Sequence, residues 1–252
     1  MSPDRERAVS AAFVTIANSL AEGYDPVDLC TGLTRDCALL LDVATAGLLL
    51  ADEGGVLHVM AASSEATRDL EAFQLQRKEG PCLDCYRVGS PILVPDLNVE
   101  HARWPTFVPA AISAGFTSVH AVPVRLRDTV LGALGLFSTE AGALNAADLD
   151  LAQALAHVAS VALVADKALS DKSAIIEQLH TALRSRVVLE QAKGFLAEAG
   201  GLDMGEAFAA LRRYARDHNL KLSDVAGHLV SRDLPAQQVL DHARSRPGLR
   251  NR

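Results

Sequence analysis

Long apolar runs and a disulfide framework are missing from this chain of 252 residues, and no secretory leader is expected. No uninterrupted apolar stretch approaches the roughly 18 residues of a membrane-crossing helix. The opening MSPDRERAVS has neither a basic n-region nor an apolar h-region, so the expected location is the cytosol. Four cysteines, Cys30, Cys37, Cys82 and Cys85, are too few in so long a chain for a disulfide scaffold, and reduced thiols are expected. A Ser-His-Asp set, a paired-carboxylate signature and a phosphate-cradling glycine loop are likewise absent at any telling spacing, so nothing argues for catalysis.

What is present is an ordinary hydrophobic content of 49% and a net charge of −7 that is unevenly spread. Residues 1–150 hold 10 Lys and Arg against 20 Asp and Glu, whereas residues 179–252 hold 12 against 8. The front repels polyanions, and the back permits RNA or DNA without establishing either.

The first half carries short apolar runs. Ala46–Glu53 and Val56–Ser63, parted by Gly54-Gly55, predict a hairpin. SVHAVPVRL and TVLGALGLF, joined by Arg127-Asp128, predict a second, and PILVPDL adds one more strand. Helical spacing marks residues 4–22 and 26–42, while SEATRDLEAFQLQ opens on Ser63-Ser64 with acids in its first turn, as an N-cap predicts. Helices with an antiparallel sheet make this half α+β.

Cys82 and Cys85 form one C-x-x-C. Pro81 ahead of them fits the first position of a short helix whose free N–H groups would favour a thiolate, so a redox pair is conceivable. Packing cysteines are the plainer reading, and a zinc site lacks its second ligand pair. His58 and His120 fall in predicted strands as core or solvent-facing residues.

Glu79-Gly80-Pro81-Cys82, the strand that follows and the valine-rich hairpin downstream resemble a GAF domain over roughly residues 5–165. The resemblance implies five or six antiparallel strands between helices, with a small-molecule site on one face. The ligand and any cofactor are unknown, and the cyclic-nucleotide motif of the phosphodiesterase type is not matched.

After Asp148 the pattern turns to one long helix. With a at Leu155, Ala162, Leu169, Ile176 and Leu183, and d at Leu151, Val158, Ala165, Lys172, Leu179 and Arg186, a seam of about five heptads predicts a parallel coiled-coil homodimer. The alternative is a helix packed on the sheet for its first half and solvated beyond.

Leu189–Gly201, LEQAKGFLAEAGG, is helical up to its double glycine. The wheel puts Val188, Ala192, Phe195 and Ala199 inward and Arg186, Glu190 and Lys193 outward. Asp203 and Glu206 predict a capping box for a second helix, with Met204, Ala207, Phe208, Leu211 and Ala215 inward and Arg212, Arg213 and Arg216 outward. LSDVAGHLV predicts a third short helix capped by Ser223. Gly194 costs about 0.8–1.0 kcal/mol against alanine, which suggests close approach by the third helix or by a ligand.

Ser185–Val230 strongly resembles an ANTAR domain through Arg186, Glu190, Ala192-Lys193-Gly194, Ala207-Phe208, Leu211-Arg212, Ala215-Arg216, Leu222 and Val225-Ala226. That resemblance implies binding of paired mRNA leader stem-loops and transcription antitermination. The expected RNA contacts are Lys193, Arg212, Arg213 and Arg216, with Arg186 and Lys221 secondary. The organisation expected is a sensor at 1–150, a signalling coiled coil at 151–184, an RNA-binding bundle at 185–235 and a basic tail at 236–252. Two other readings stay open: a DNA-binding unit whose last helix resembles that of a helix-turn-helix, and a bundle that only docks proteins.

Overall fold

The computed structural model describes residues 3–18, 25–52, 54–164 and 172–244, with the side chains of 172–180 outside the description. Two compact units emerge: residues 1–22 with 29–180, and residues 23–28 with 181–252.

The first unit is a five-stranded antiparallel sheet in the order β2-β1-β5-β4-β3, formed by β1 (Thr45–Ala51), β2 (Leu57–Ala62), β3 (Ile92–Val94), β4 (Ser118–Leu126) and β5 (Thr129–Ser138). Both expected hairpins are present. In the second, Arg127 takes a left-handed φ of 52° to make the tight turn. β1 is buried along its whole length, which requires cover on both faces.

One face carries α3 (Glu65–Arg77), α4 (Pro81–Val88) and α5 (Phe107–Ser113), and their core includes Trp104, Phe107, Phe116 and Phe137. Ser64 caps α3, accepting from Thr67 N–H as its position predicts. β4 also packs against α6 (Ala146–Val164), and α1 (Pro3–Asn18) lies against α6 through the Arg5–Asp148 ion pair. Gln153 and Ser160 of α6 donate to the Pro123 and Arg125 carbonyls at 2.9 and 2.8 Å.

α6 is long and apolar enough to cross a membrane by length and composition alone, yet half of its most apolar window is buried inside the protein. This packing takes up the first two a positions of the expected seam, since Leu155 and Ala162 are fully buried. There the alternative holds: the helix spends its apolar face on its own sheet. Ala165 and Leu169 lie outside the described residues, and the side chains of Lys172, Ile176 and Leu179 outside the described side chains.

The second unit is built from the end of α7 (Lys172–Gly200), α8 (Met204–Asp217), α9 (Leu222–Val230) and α10 (Ala236–Arg244). Its core joins Leu189, Ala192, Leu196, Leu211, Val225 and Leu229 to Val239 and Leu240 of α10. The expected basic tail is therefore helical over 236–244 and contributes to the core, because Ala236, Val239, Leu240 and Ala243 recur at helical spacing on its inward side. Asp203 and Glu206 form the expected capping box on α8. Ser223 is not a cap: Lys221 occupies the N-cap of α9 without a side-chain hydrogen bond. The Ser223 N–H donates instead to Asp25 Oδ2 at 2.6 Å.

Candidate functional site

In the first unit the chemistry gathers where α3 crosses the sheet. Gly47 and Gly135 are paired across β1 and β5. A Cβ on either would come within 2.7 or 2.6 Å of Glu71 Oε1. The two glycines thus leave a notch in the sheet that the Glu71 carboxyl fills. Glu71 accepts from the Cys82 thiol at 3.4 Å and from the Gln74 amide, and Gln74 in turn accepts from Cys82 N–H at 3.2 Å. Burial pushes Glu71 up to about 8 despite those two donors, so it is mostly neutral at pH 7.

Each residue of the Glu79-Gly80-Pro81-Cys82 run has a structural task. The Glu79 carboxylate accepts from the Thr106 and Phe107 N–H groups at 2.6 and 2.8 Å and so caps α5. Burial alone would raise its pKa, but those donors hold it below the ordinary range. Gly80 has a φ of 141° and leaves room for Gln74, whose Cβ would lie 2.9 Å from a Cβ at position 80, and Pro81 opens α4. Cys82 then points at Glu71.

The geometry favours the packing reading of this pair over a thiolate, since both cysteines are free and buried. Burial, the Glu71 charge and Cys85 raise Cys82 well above 9.0, and burial pushes Cys85 up to about 12. Desolvation outweighs the helix N-terminus, and both thiols stay protonated inside the core. His120 is buried too, and burial lowers its pKa; Leu144 N–H lies 3.2 Å from its Nε2.

In the second unit the α7 wheel is turned from the expected phase. Leu189, Ala192 and Leu196 face the core, while Phe195 is 43% exposed and Ala199 is at the surface. Arg186 and Lys193, expected outside, are buried at 7% and 6% exposure. Glu190 makes this possible, because one carboxylate pairs with Arg186 and with Lys193, the latter at 2.9 Å. Lys193 Nζ also lies 5.9 Å from the Phe208 ring centroid. An Arg-Glu-Lys ladder at spacings of four and three was the signal in the sequence for an internally neutralised stripe.

The four other expected contacts are dispersed. Arg213 donates to the Ala243 carbonyl at 3.0 Å and so closes the end of α10. Arg212 pairs with Asp28 at 2.9 Å. Arg216 is exposed, with Asp217 3.4 Å away, and Lys221 is exposed at the start of α9. On the α8–α10 side Tyr214 stacks on His218 at 4.1 Å, and His242 lies 3.1 Å from Asp217. Sequence reasoning missed the exposed Phe195 with the Arg232 guanidinium 5.9 Å from its ring, and of its two readings of Gly194 the packing of the third helix fails. A Cβ on Gly194 would meet no atom within 4 Å, so the third helix does not pack there.

Comparison with known proteins follows the same division. The GAF domain model matches residues 25–164 and the ANTAR domain model residues 177–230. A search of curated proteins returns no match. Among solved structures, the GAF domain of an Acinetobacter phosphoenolpyruvate-protein phosphotransferase is 16% identical with a TM-score of 0.50, over 72% of this chain and 97% of that one. The corresponding GAF domain from Coxiella burnetii is 15% identical with a TM-score of 0.46, over 61% and 92%. At such identity the first likeness speaks for the fold alone. Sheet order, helix placement and the two matched models agree: the chain belongs to the GAF family and carries a C-terminal ANTAR domain, the pairing of a signal-sensing, RNA-binding antitermination regulator.

Proposed function

We propose that this protein is a cytosolic homodimer in which a small-molecule signal received by the GAF domain controls binding of the ANTAR domain to paired stem-loops of an mRNA leader. The observation that carries the proposal is the conjunction, in one chain, of the two matched domains. Arg212, Arg216 and Lys221 are the phosphate-contacting residues in this reading. Arg186 and Lys193 act through the fold, and Arg213 by holding α10. A dimer presents two such surfaces, and linked sites bind two hairpins more tightly than one domain binds one.

The competing DNA reading is disfavoured by the start of α9. A reading helix offers its first turn to the groove, whereas here Asp25 occupies the Ser223 N–H and Asp224 follows.

The test compares binding of the full chain to a two-hairpin leader RNA, the matching duplex DNA and a scrambled RNA. Preference for the first supports antitermination. Preference for the duplex supports the DNA reading, and affinity for none leaves a protein-docking bundle. Phosphate contacts predict affinity that falls with salt. Sedimentation equilibrium of the wild type and of Leu169→Asp/Ile176→Asp tests the dimer, and a monomeric wild type at micromolar concentration rejects it.

A further inference from the structure

Two residue choices that cost stability meet at one exposed ring. Gly194 sits inside α7, where only proline is a worse helix residue, and no neighbouring atom lies within 4 Å of a Cβ built on it. No contact among the described residues therefore calls for a glycine. Arg232 follows α9 with a φ of 65°. Its N–H bonds to the Leu229 carbonyl at 3.2 Å and Leu234 N–H to the His228 carbonyl at 2.9 Å, which is the helix stop that glycine ordinarily fills. Lys78 and Arg127 share this left-handed conformation. Among the described cation–π pairs, only at 232 does a left-handed residue lie over a ring.

That ring is Phe195, the residue after Gly194, large and 43% exposed where burial would be the norm. An aromatic face with a planar cation beside it is thus preceded on the helix by an exposed position without a side chain. A nucleotide answers all three: its base is flat, its phosphate anionic, and the absent Cβ gives it room to lie against the helix. The second unit also has a small cationic excess to draw such a ligand, 12 Lys and Arg against 10 Asp and Glu over residues 23–28 and 181–252.

We propose that Phe195, Arg232 and the bare backbone at Gly194 form a stacking platform for one unpaired base in a loop of the bound RNA. The proposal rests on the RNA-binding reading above and gives that reading its loop contact. Unpaired RNA bases are commonly stacked on aromatic rings and guanidinium planes. Loss of one such stack weakens binding by about fivefold to a hundredfold.

The probe is a pool of two-hairpin RNAs with randomised loops, enriched on the full-length wild type. The tightest RNA is then titrated against Phe195→Leu, Arg232→Gly and Gly194→Ala. Each variant is expected to lose about fivefold or more in affinity. Gly194→Ala and Arg232→Gly should meanwhile melt at or above the wild-type temperature, since each restores the residue its backbone prefers. Weaker binding with equal or greater stability cannot come from a damaged fold. With 2-aminopurine placed in turn at each loop position, one position should be quenched by wild type and not by Phe195→Leu.

Binding by all three variants within twofold of wild type overturns the platform and leaves the RNA reading standing. Failure of the wild type to enrich any RNA overturns the RNA reading and the platform with it. Unchanged RNA affinity with altered sedimentation would assign this surface to a second copy of the chain, and would also overturn the proposal.

Discussion

Replacing Glu71 by glutamine should remove a pH dependence from the stability of the first unit. Glu71 titrates at about 8 in the fold, raised from 4.5 by burial. Between those values the folded state holds a proton that the unfolded chain has released. The stability contributed is complete below pH 4.5 and is lost as pH rises through about 8. Within that window the slope is about 1.4 kcal/mol per pH unit, so about 2 kcal/mol disappears between roughly pH 6.5 and pH 8. Glutamine keeps the shape of the neutral carboxyl and has nothing to titrate; its NH2 group cannot accept as one Glu71 oxygen does, a loss that is the same at every pH and leaves the pH dependence of the difference unaltered. His120, whose pKa is lowered by burial, has the opposite sign and loses stability as pH falls below 6.5. Both proteins share it, so it cancels in their difference.

Trp104 is the sole tryptophan and is buried in the first unit, so its fluorescence during urea unfolding reports this unit. With a urea slope of about 1–3 kcal/mol/M, the wild-type midpoint should fall relative to Glu71→Gln by about 1 M across the interval. A wild-type-minus-variant difference that stays constant from pH 6.5 to 8 would refute the neutral buried carboxyl.

Four further outcomes are expected. Gly135→Ala forces a Cβ to within 2.6 Å of Glu71 Oε1 and 2.8 Å of Cys82 Sγ and should cost about 1–3 kcal/mol by the same fluorescence assay. Gly32→Ala in α2 (Pro26–Leu40) meets nothing within 4 Å among the described residues and should stabilise by up to about 1 kcal/mol. Lys193→Ala should lower the melting temperature of the second unit, because it strips a partner from Glu190 at a cost of about 1–3 kcal/mol; unchanged melting would return Lys193 to the surface. Leu240→Ala should cost about 2–5 kcal/mol if α10 belongs to the bundle, whereas a solvated tail would show no effect in a melting curve.

The hairpins, the Ser64 cap and the capping box on α8 were legible because each depends on residues within a few positions of one another. Glu71 was not. A glutamate in a helix with acids and an arginine around it reads as solvated, and its burial is decided by Gly47 and Gly135 in two strands that become neighbours only when the sheet forms. The Cys82–Cys85 pair shows the same limit from the other side. Proline at the helix start was read correctly from the sequence. The sign of the thiol shift followed from how completely the core closes over it, which no local pattern records.

On α7 the difficulty was one of phase. Val188, Ala192, Phe195 and Ala199 make as regular an apolar stripe as Leu189, Ala192 and Leu196, and adjacent residues on a helix lie only about 100° apart. Counting cations as outward-facing tipped the choice toward the first stripe. That rule assumes each charge must be solvated singly. Glu190 lies four residues after Arg186 and three before Lys193, where one carboxylate reaches both, and the trio enters the bundle with a single net positive charge. The turn of the wheel then decides what is left outside. Phe195 and Gly194 reach the surface because the two cations do not, so the residues that pair with each other inside α7 also set which face of the helix can meet a partner.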